Sequence, residues 1–336
     1  MVEGTWSTPG RLRLGFQVWG QFVSWGDLME MGRRIDELGF DSLWSNDHLL
    51  PVAGGGPQAQ EIDRGPVWDG WMTLAGWAER TDRVTLGCLV SGAAYRNPGM
   101  LARMVTALDH ASGGRAVLGL GAGWHAAEHR AFGYDYPTLP ERLDRLDEAA
   151  RICRQMLDGE AAVLDGTWFS VRHARLEPAP LQRHLPLLIG GSGERRTLPI
   201  VARVADIWNG EGDPETYARK SALLDDLCRR QGRDPASIHH TVGLPPPLIR
   251  EDRDEAVAEH AGRLVRHGLA PDAARAASQM SPLVGSVRDM TALLLSYQAA
   301  GAREVIFDWP PPADEVTLAG LAGPVREAIA VAGMSA

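Results

Sequence analysis

Short apolar runs alternate along the chain with longer segments in which apolar positions recur every three to four residues. The first pattern marks strands covered on both faces, and the second marks helices that pack by one stripe. Their alternation predicts a parallel sheet built from βα units. Eight strands are expected, over residues 12–18, 41–45, 84–90, 115–121, 186–191, 206–208, 240–244 and 304–308. The helices between them have legible ends. Met29, Ile35 and Leu38 mark one face of a helix over 25–38, and Gly39 stops it. Asn97 precedes Pro98 as a cap before the first helical position. Leu143, Leu146, Ala150, Cys153 and Leu157 repeat at helical period up to Gly159.

Eight such units predict an α/β fold, a (β/α)8 TIM barrel, with a doubly wound open sheet as the structural alternative. A plain barrel needs about 250 residues. The 336 residues here therefore favour a single barrel domain over 1–336 with insertions, placed at about 48–68, 160–185 and 269–286. The first is rich in glycine and proline (Gly54, Gly55, Gly56, Pro57) and follows a strand end, where barrel enzymes keep substrate loops; it is the candidate lid.

Composition narrows the classes. With 44% hydrophobic and 23% charged residues the chain has material for a large core, and no apolar run approaches the roughly 20 residues that span a bilayer. The first ten residues carry Glu3 and lack an apolar stretch before a cleavage site, so a cytoplasmic location is expected. Cys88, Cys153 and Cys228 lie far apart, which suggests neither a disulfide framework nor a cysteine metal site. A net charge of -9 argues against a nucleic-acid partner, so any anion site must be local.

Four motifs carry candidate chemistry. Gly119-x-Gly121-x-Gly123 ends a strand, but Trp124 stands where a dinucleotide fingerprint needs its last glycine. Two readings of these glycines stay open, a tight turn out of the barrel or close approach of a cofactor. His125, Glu128 and His129 match the letters of an inverted zinc-protease motif; that motif needs a sustained helix, whereas here it follows a glycine-rich strand end and meets Gly133 within a turn. Lining of a substrate pocket, or capping, is the preferred reading, with no metal. Gly190-Gly191-Ser192-Gly193 follows a buried strand and is expected to open a helix, where amides, the Ser192 hydroxyl and Arg195 or Arg196 could hold a phosphate; the alternative is a plain turn, with Glu194 repelling an anion. His48, after Asp47 at the end of the second strand, points into the barrel mouth in this fold, as a structural or a reactive imidazole.

Together these stretches resemble the luciferase-like family, in particular its coenzyme-F420-dependent oxidoreductases. The resemblance rests on the run from Gly39 to Trp44 with Asp47-His48, on Gly87 to Val90 with Tyr95 to Pro98, and on Leu108 to Arg115 leading to Gly119 and His125. Ile189 to Gly193 with Ala205 to Asn209, and Gly285 to Gly301, complete it. It implies a barrel with insertions, a deazaflavin beside His48 as the catalytic residue, and contacts from Asp47, Cys88, Leu89, Ala122, Gly123, Gly190, Gly191, Ser192, Gly193 and Arg195. It also implies a non-prolyl cis peptide at Cys88-Leu89 that backs the ring. Trp124, His125, His129 and Trp208 are expected to line the substrate pocket.

Two positions depart from the pattern. Some F420 enzymes carry an acidic residue where this chain has Trp124, and a tryptophan where it has Val52. A sugar-phosphate dehydrogenase mechanism is therefore not carried over. Any proton must come from His48, from His125, Glu128 or His129, or from the substrate.

The function expected is hydride transfer between F420 and an organic small-molecule substrate, in the direction of reduction, with a separate reductase supplying reduced cofactor and a homodimer as one assembly. A reduced-FMN monooxygenase of the same family is the nearest alternative. A non-catalytic barrel binding a flavin-like ligand is the rival of another class.

Overall fold

The computed structural model describes residues 11–53, 60–61, 64–266, 269–310, 312 and 314–333. Eight parallel strands are β1 (Arg13–Val18), β2 (Ser42–Ser45), β3 (Thr85–Cys88), β4 (Ala116–Gly121), β5 (Leu187–Gly190), β6 (Ile207–Gly210), β7 (His239–Leu244) and β8 (Glu304–Trp309). They pair in sequence order, and β8 returns to β1 with Arg13 opposite Glu304 and Val18 opposite Trp309. The ring closure makes this a (β/α)8 barrel and rules out the open sheet. All eight expected strands are present. The sixth runs two residues further than its apolar stretch, because Asn209 is polar yet still pairs with Thr241 of β7.

Helix ends follow the sequence signals. Ser24 caps α1 (Trp25–Glu37) by accepting the Asp27 amide, and Gly39 leaves it at φ 81°. The helices α2 (Gly70–Ala78) and α3 (Pro98–Ala111) are capped by Asp69 and Asn97. A short α4 (Ala126–Phe132) precedes α5 (Leu139–Leu157), which opens on a Thr138–Glu141 capping box.

Alternation divides the barrel into layers. Val305, Phe307 and Trp309 of β8 face the helices, while Ile306 joins Trp44, Leu89, Val117, Leu188 and Ile207 in an interior cluster. Below that cluster lies a polar layer in which Arg13, Ser42 and His239 surround Glu304. Carboxylates also tie the crossings at this end. Asp36 accepts the amides of Asp82, Arg83 and Val84, Asp109 that of Gln182, and Asp206 that of Leu187.

Three stretches stand outside the βα units of the barrel. In the first, Val52–Ala53 pairs antiparallel with Gln60–Glu61, while residues 54–59 and 62–63 of the candidate lid lie outside the described residues. Both feet are tied to the loop after β1: the Gln21 amide bonds the Val52 backbone at 2.6 and 3.0 Å, and the Trp68 amide bonds the Gly20 carbonyl at 2.8 Å. The second is a hairpin, Ala162–Asp165 with Ser170–Ala174, whose turn is held by Glu148 of α5 accepting the amides of Thr167, Trp168 and Phe169. The third begins earlier than 269. After β7 the chain makes Leu248–Ile249, a helix over Arg253–Arg266, another over Pro271–Met280, and Val284–Gly285 before the next barrel helix starts at Val287. The Arg253–Arg266 helix has a barrel helix's period. It buries Ala256 and Val257 in a small core of its own with Leu248 and Val284, which is why periodicity alone did not set it apart.

Candidate active site

His48 lies three residues past the end of β2, at the strands' C-terminal side. Its Nδ1 is 2.9 Å from Oε1 of Glu128 on α4, and that oxygen also accepts the amides of Leu49 (2.8 Å) and Leu50 (3.1 Å). The other oxygen accepts the Tyr95 hydroxyl at 2.5 Å. Glu128 is fully buried. Burial alone would push its carboxyl up, but the hydrogen bond and charge of His48, with Tyr95 and Leu50, outweigh it and hold the group below the usual range. An ionised carboxylate only accepts, so Nδ1 carries a hydrogen, and in the neutral ring Nε2 carries the lone pair.

Asp47 is the next residue expected among the ligand contacts. It is 4% exposed and pairs with Arg96, which also reaches Asp69, the cap of α2, at 3.3 Å. Burial pushes its carboxyl up against the opposing pull of Arg96 and Ser91. The pair braces the loop that carries His48.

The non-prolyl cis peptide is at Leu89-Val90, one residue beyond the expected Cys88-Leu89. Cys88 is still a regular strand residue opposite Ser45, and its buried side chain faces the outer core rather than the mouth. The chain leaves the strand after Leu89, then rejoins β4 with Ser91 opposite Leu120 and Gly92 opposite Gly121. Glycines make room for this bulge. A Cβ on Gly121 would stand 2.4 Å and one on Gly190 3.0 Å from the Val90 side chain, and one on Gly119 would meet the Cys88 carbonyl at 1.9 Å. Gly119 and Gly121 are thus required inside the strand, by a neighbour's close approach rather than by a turn. The Gln17 amide donates to the Leu89 carbonyl from β1.

Ala122 and Gly123 (φ 74°) lead into α4. The Trp124 ring lies 5.4 Å from that of His48, and the His125 ring 5.8 Å, so both flank it. His125 also caps α4 by accepting the Glu128 amide at 3.3 Å. His129 sits apart, fully buried among Tyr95, Tyr134 and Tyr136, with Nδ1 3.0 Å from the His125 carbonyl. The letters His125, Glu128 and His129 therefore serve a cap, an imidazole and an aromatic niche.

The loop after β5 is longer than expected, since its helix, α6 (Thr197–Val204), opens four residues after Gly193. The Gly191 amide is taken by the Asn209 carbonyl. The Ser192 hydroxyl accepts the Glu211 amide at 3.1 Å, which leaves its own hydrogen to donate. Arg196 pairs with Asp144 and Glu194 turns to Arg219, so Glu194 does not confront the loop. Among the described residues no acid pairs with Arg195, which is exposed. Trp208 is not at the mouth. Ile207 faces the barrel interior, which turns Trp208 outward to stack on Tyr217 of α7 (Pro214–Arg230) at 5.1 Å, and its Nε1 donates to the Gly191 carbonyl.

A family model described as luciferase-like monooxygenase matches residues 4–305. The chain belongs to that family. A curated luciferase-like relative named F420-dependent glucose-6-phosphate dehydrogenase, from Microbacterium testaceum, is 34% identical over 226 residues, which cover 66% of this chain and 64% of the relative's length. Two solved structures with the same luciferase-like barrel are an F420-dependent secondary alcohol dehydrogenase in complex with an F420-acetone adduct (TM-score 0.74, 19% identity, 94% of this chain and 99% of that one) and a long-chain alkane monooxygenase (TM-score 0.76, 16% identity, 96% and 92%). At such identity they speak for the fold alone. Among the described residues no helix is long and apolar enough to cross a membrane.

Tyr95 and Arg96 entered the sequence reading only as part of a resembling stretch, and Gln17 and Asp308 not at all. A signal existed for the last two: each is a polar residue near the C-terminal end of a largely apolar strand.

Proposed function

We propose that this luciferase-like protein is an oxidoreductase using coenzyme F420, most naturally in its reduced form, to reduce an organic small molecule. The observation that carries the proposal is His48, fixed through Nδ1 by a buried carboxylate beside the Leu89-Val90 bulge. Relatives named F420-dependent glucose-6-phosphate dehydrogenases support F420 over FMN.

The residues present fit such a cofactor. The bulge, with Gln17 holding the Leu89 carbonyl, offers a seat for a flat ring. The Ser192 hydroxyl, the amides of Ser192 and Gly193, and Arg195 would take the phosphate. When bound, the reduced deazaflavin supplies a hydrogen with its electron pair to the substrate. His48 keeps one tautomer and one ring orientation through Glu128, so that Nε2 can exchange a proton without the ring turning. Trp124, 40% exposed at the edge of His48, and His125 would bound the substrate space. Glucose 6-phosphate is not the substrate proposed. Position 124 bears an indole in place of an acid, and Val52 is buried at 3% exposure under the Gln21 clamp. A separate reductase would regenerate the reduced cofactor.

Titrating the purified protein separately with F420, reduced F420 and FMN, followed by fluorescence, tests the reading. F420 binding with FMN ignored is the expected outcome; tight FMN binding without an F420 response overturns it and favours the monooxygenase alternative. Undiminished turnover by His48→Ala would remove the role given to that residue.

A further inference from the structure

Asp308 faces the barrel interior, two positions above Ile306 of the interior cluster and four above Glu304. Its register partner is Gln17, whose amide holds the Leu89 carbonyl next to the cis peptide. Asp308, Gln17 and the bulge thus form a row across the mouth, in the layer where a cofactor ring would rest.

Asp308 is half-buried, and the surroundings of its carboxyl are unlike those of the other enclosed acids here. Each of Asp36, Asp109, Asp206 and Glu128 accepts backbone amides or a cation. Among the described residues no cation pairs with Asp308. The neighbours that face it are neutral, Gln17 of β1 and Trp19 just past β1, and the β7 register ends short of it with Leu244 opposite Phe307; Arg13 and His239 are engaged with Glu304 two layers below. Burial, opposed only by the Trp19 hydrogen bond, pushes the carboxyl up to about 7.

We propose that Asp308 is the proton donor to the substrate in the reduction, an inference that rests on the F420 reading above. For a ketone, the carbonyl carbon takes the hydrogen and electron pair delivered by the reduced cofactor. The C=O π pair moves to the oxygen, which takes the Asp308 proton as a new O–H bond. The cofactor leaves oxidised, and the Asp308 carboxylate regains its proton from water at the mouth. The proton exchange given to His48 above then passes to Asp308 on β8, and His48, on the opposite side of β1, keeps the part of orienting the substrate.

The test compares wild type with Asp308→Asn and Asp308→Glu. First, an infrared pH titration of the cofactor-free protein should show a protonated carboxylic-acid band that disappears with a midpoint near 7 and is missing from Asp308→Asn. Second, single-turnover oxidation of bound reduced F420 by a panel of aliphatic and aryl ketones should fall above pH 7 in wild type. It should be about 10²-fold slower or more in Asp308→Asn without that alkaline limb, and partly restored in Asp308→Glu. Binding of F420 should stay within about twofold of wild type in both variants. A missing band, an Asn variant with wild-type rate and pH profile, or no ketone turnover despite F420 binding each overturns the proposal while leaving the cofactor reading intact. Failure of wild type to bind F420 removes both.

Discussion

Glu304 and Asp308 stand four residues apart on one face of one strand, one at the base of the barrel and one at its mouth. At the base Arg13, His239 and Ser42 converge on Glu304, and although burial works against the charge, Arg13 and then His239 hold its carboxyl down at about 2. At the mouth burial acts on Asp308 with a single indole against it, and the carboxyl rises to about 7. The acid that is more deeply enclosed is thus the more firmly ionised. Depth alone does not decide the state of a buried carboxyl; the number of donors converging on it does.

The comparison can be broken most decisively at the base. Glu304→Gln strands the Arg13 charge, and urea unfolding should show a loss of about 3–5 kcal/mol. The acid's stabilising contribution is full above its unfolded value near 4.5 and disappears as pH falls toward 2, so wild type should lose this increment on acidification and the variant should not. At the mouth, Glu128→Ala should cut turnover by about 10- to 100-fold, as loss of a histidine's orienting partner does elsewhere. It should also release the His48 tautomer, read by nitrogen NMR, while F420 affinity changes little. Asp308→Asn should act on stability with the opposite sign to Glu304→Gln. The raised carboxyl costs nothing below about pH 4 and its full penalty above 7, so the variant should gain on the order of 1–2 kcal/mol at pH 8, after allowance for partial exposure, and nothing at pH 4. Arg195→Ala should weaken F420 binding by about threefold to tenfold in low salt, as expected for an exposed charge on a phosphate. Arg196→Ala, which loses only a surface pair with Asp144, should leave binding unchanged.

The fold was legible because periodicity is a local property: the runs that read as strands, the cap at Asn97 and the stop at Gly39 need no distant partner to be recognised. For the candidate site, only placement was legible: His48 just past the second strand and the glycines just past the fifth each follow from one element. The rest was hidden where barrel closure joins distant positions. Glu128 meets His48 across eighty residues, and its letters suggested a helix-borne metal motif instead. Trp208 was misplaced because an aromatic residue at a strand end gives no sign of which face it takes until its neighbours are known. The cis peptide was expected one residue early because the chain's departure from β3 is set by pairing with β2, which extends through Cys88 to the Leu89 amide.

The clamp between Gln21 and Val52, together with the Trp68–Gly20 bond, fixes both ends of the first insertion on one rigid platform. Whatever lies between those ends can be lengthened, shortened or exchanged while the barrel keeps its strain-free frame, since doubling a loop costs only about 0.6 kcal/mol in closure entropy. The segment is in effect a cassette. Its sockets belong to the scaffold, so exchanging what lies between Val52 and Trp68 should leave the barrel's stability nearly unchanged.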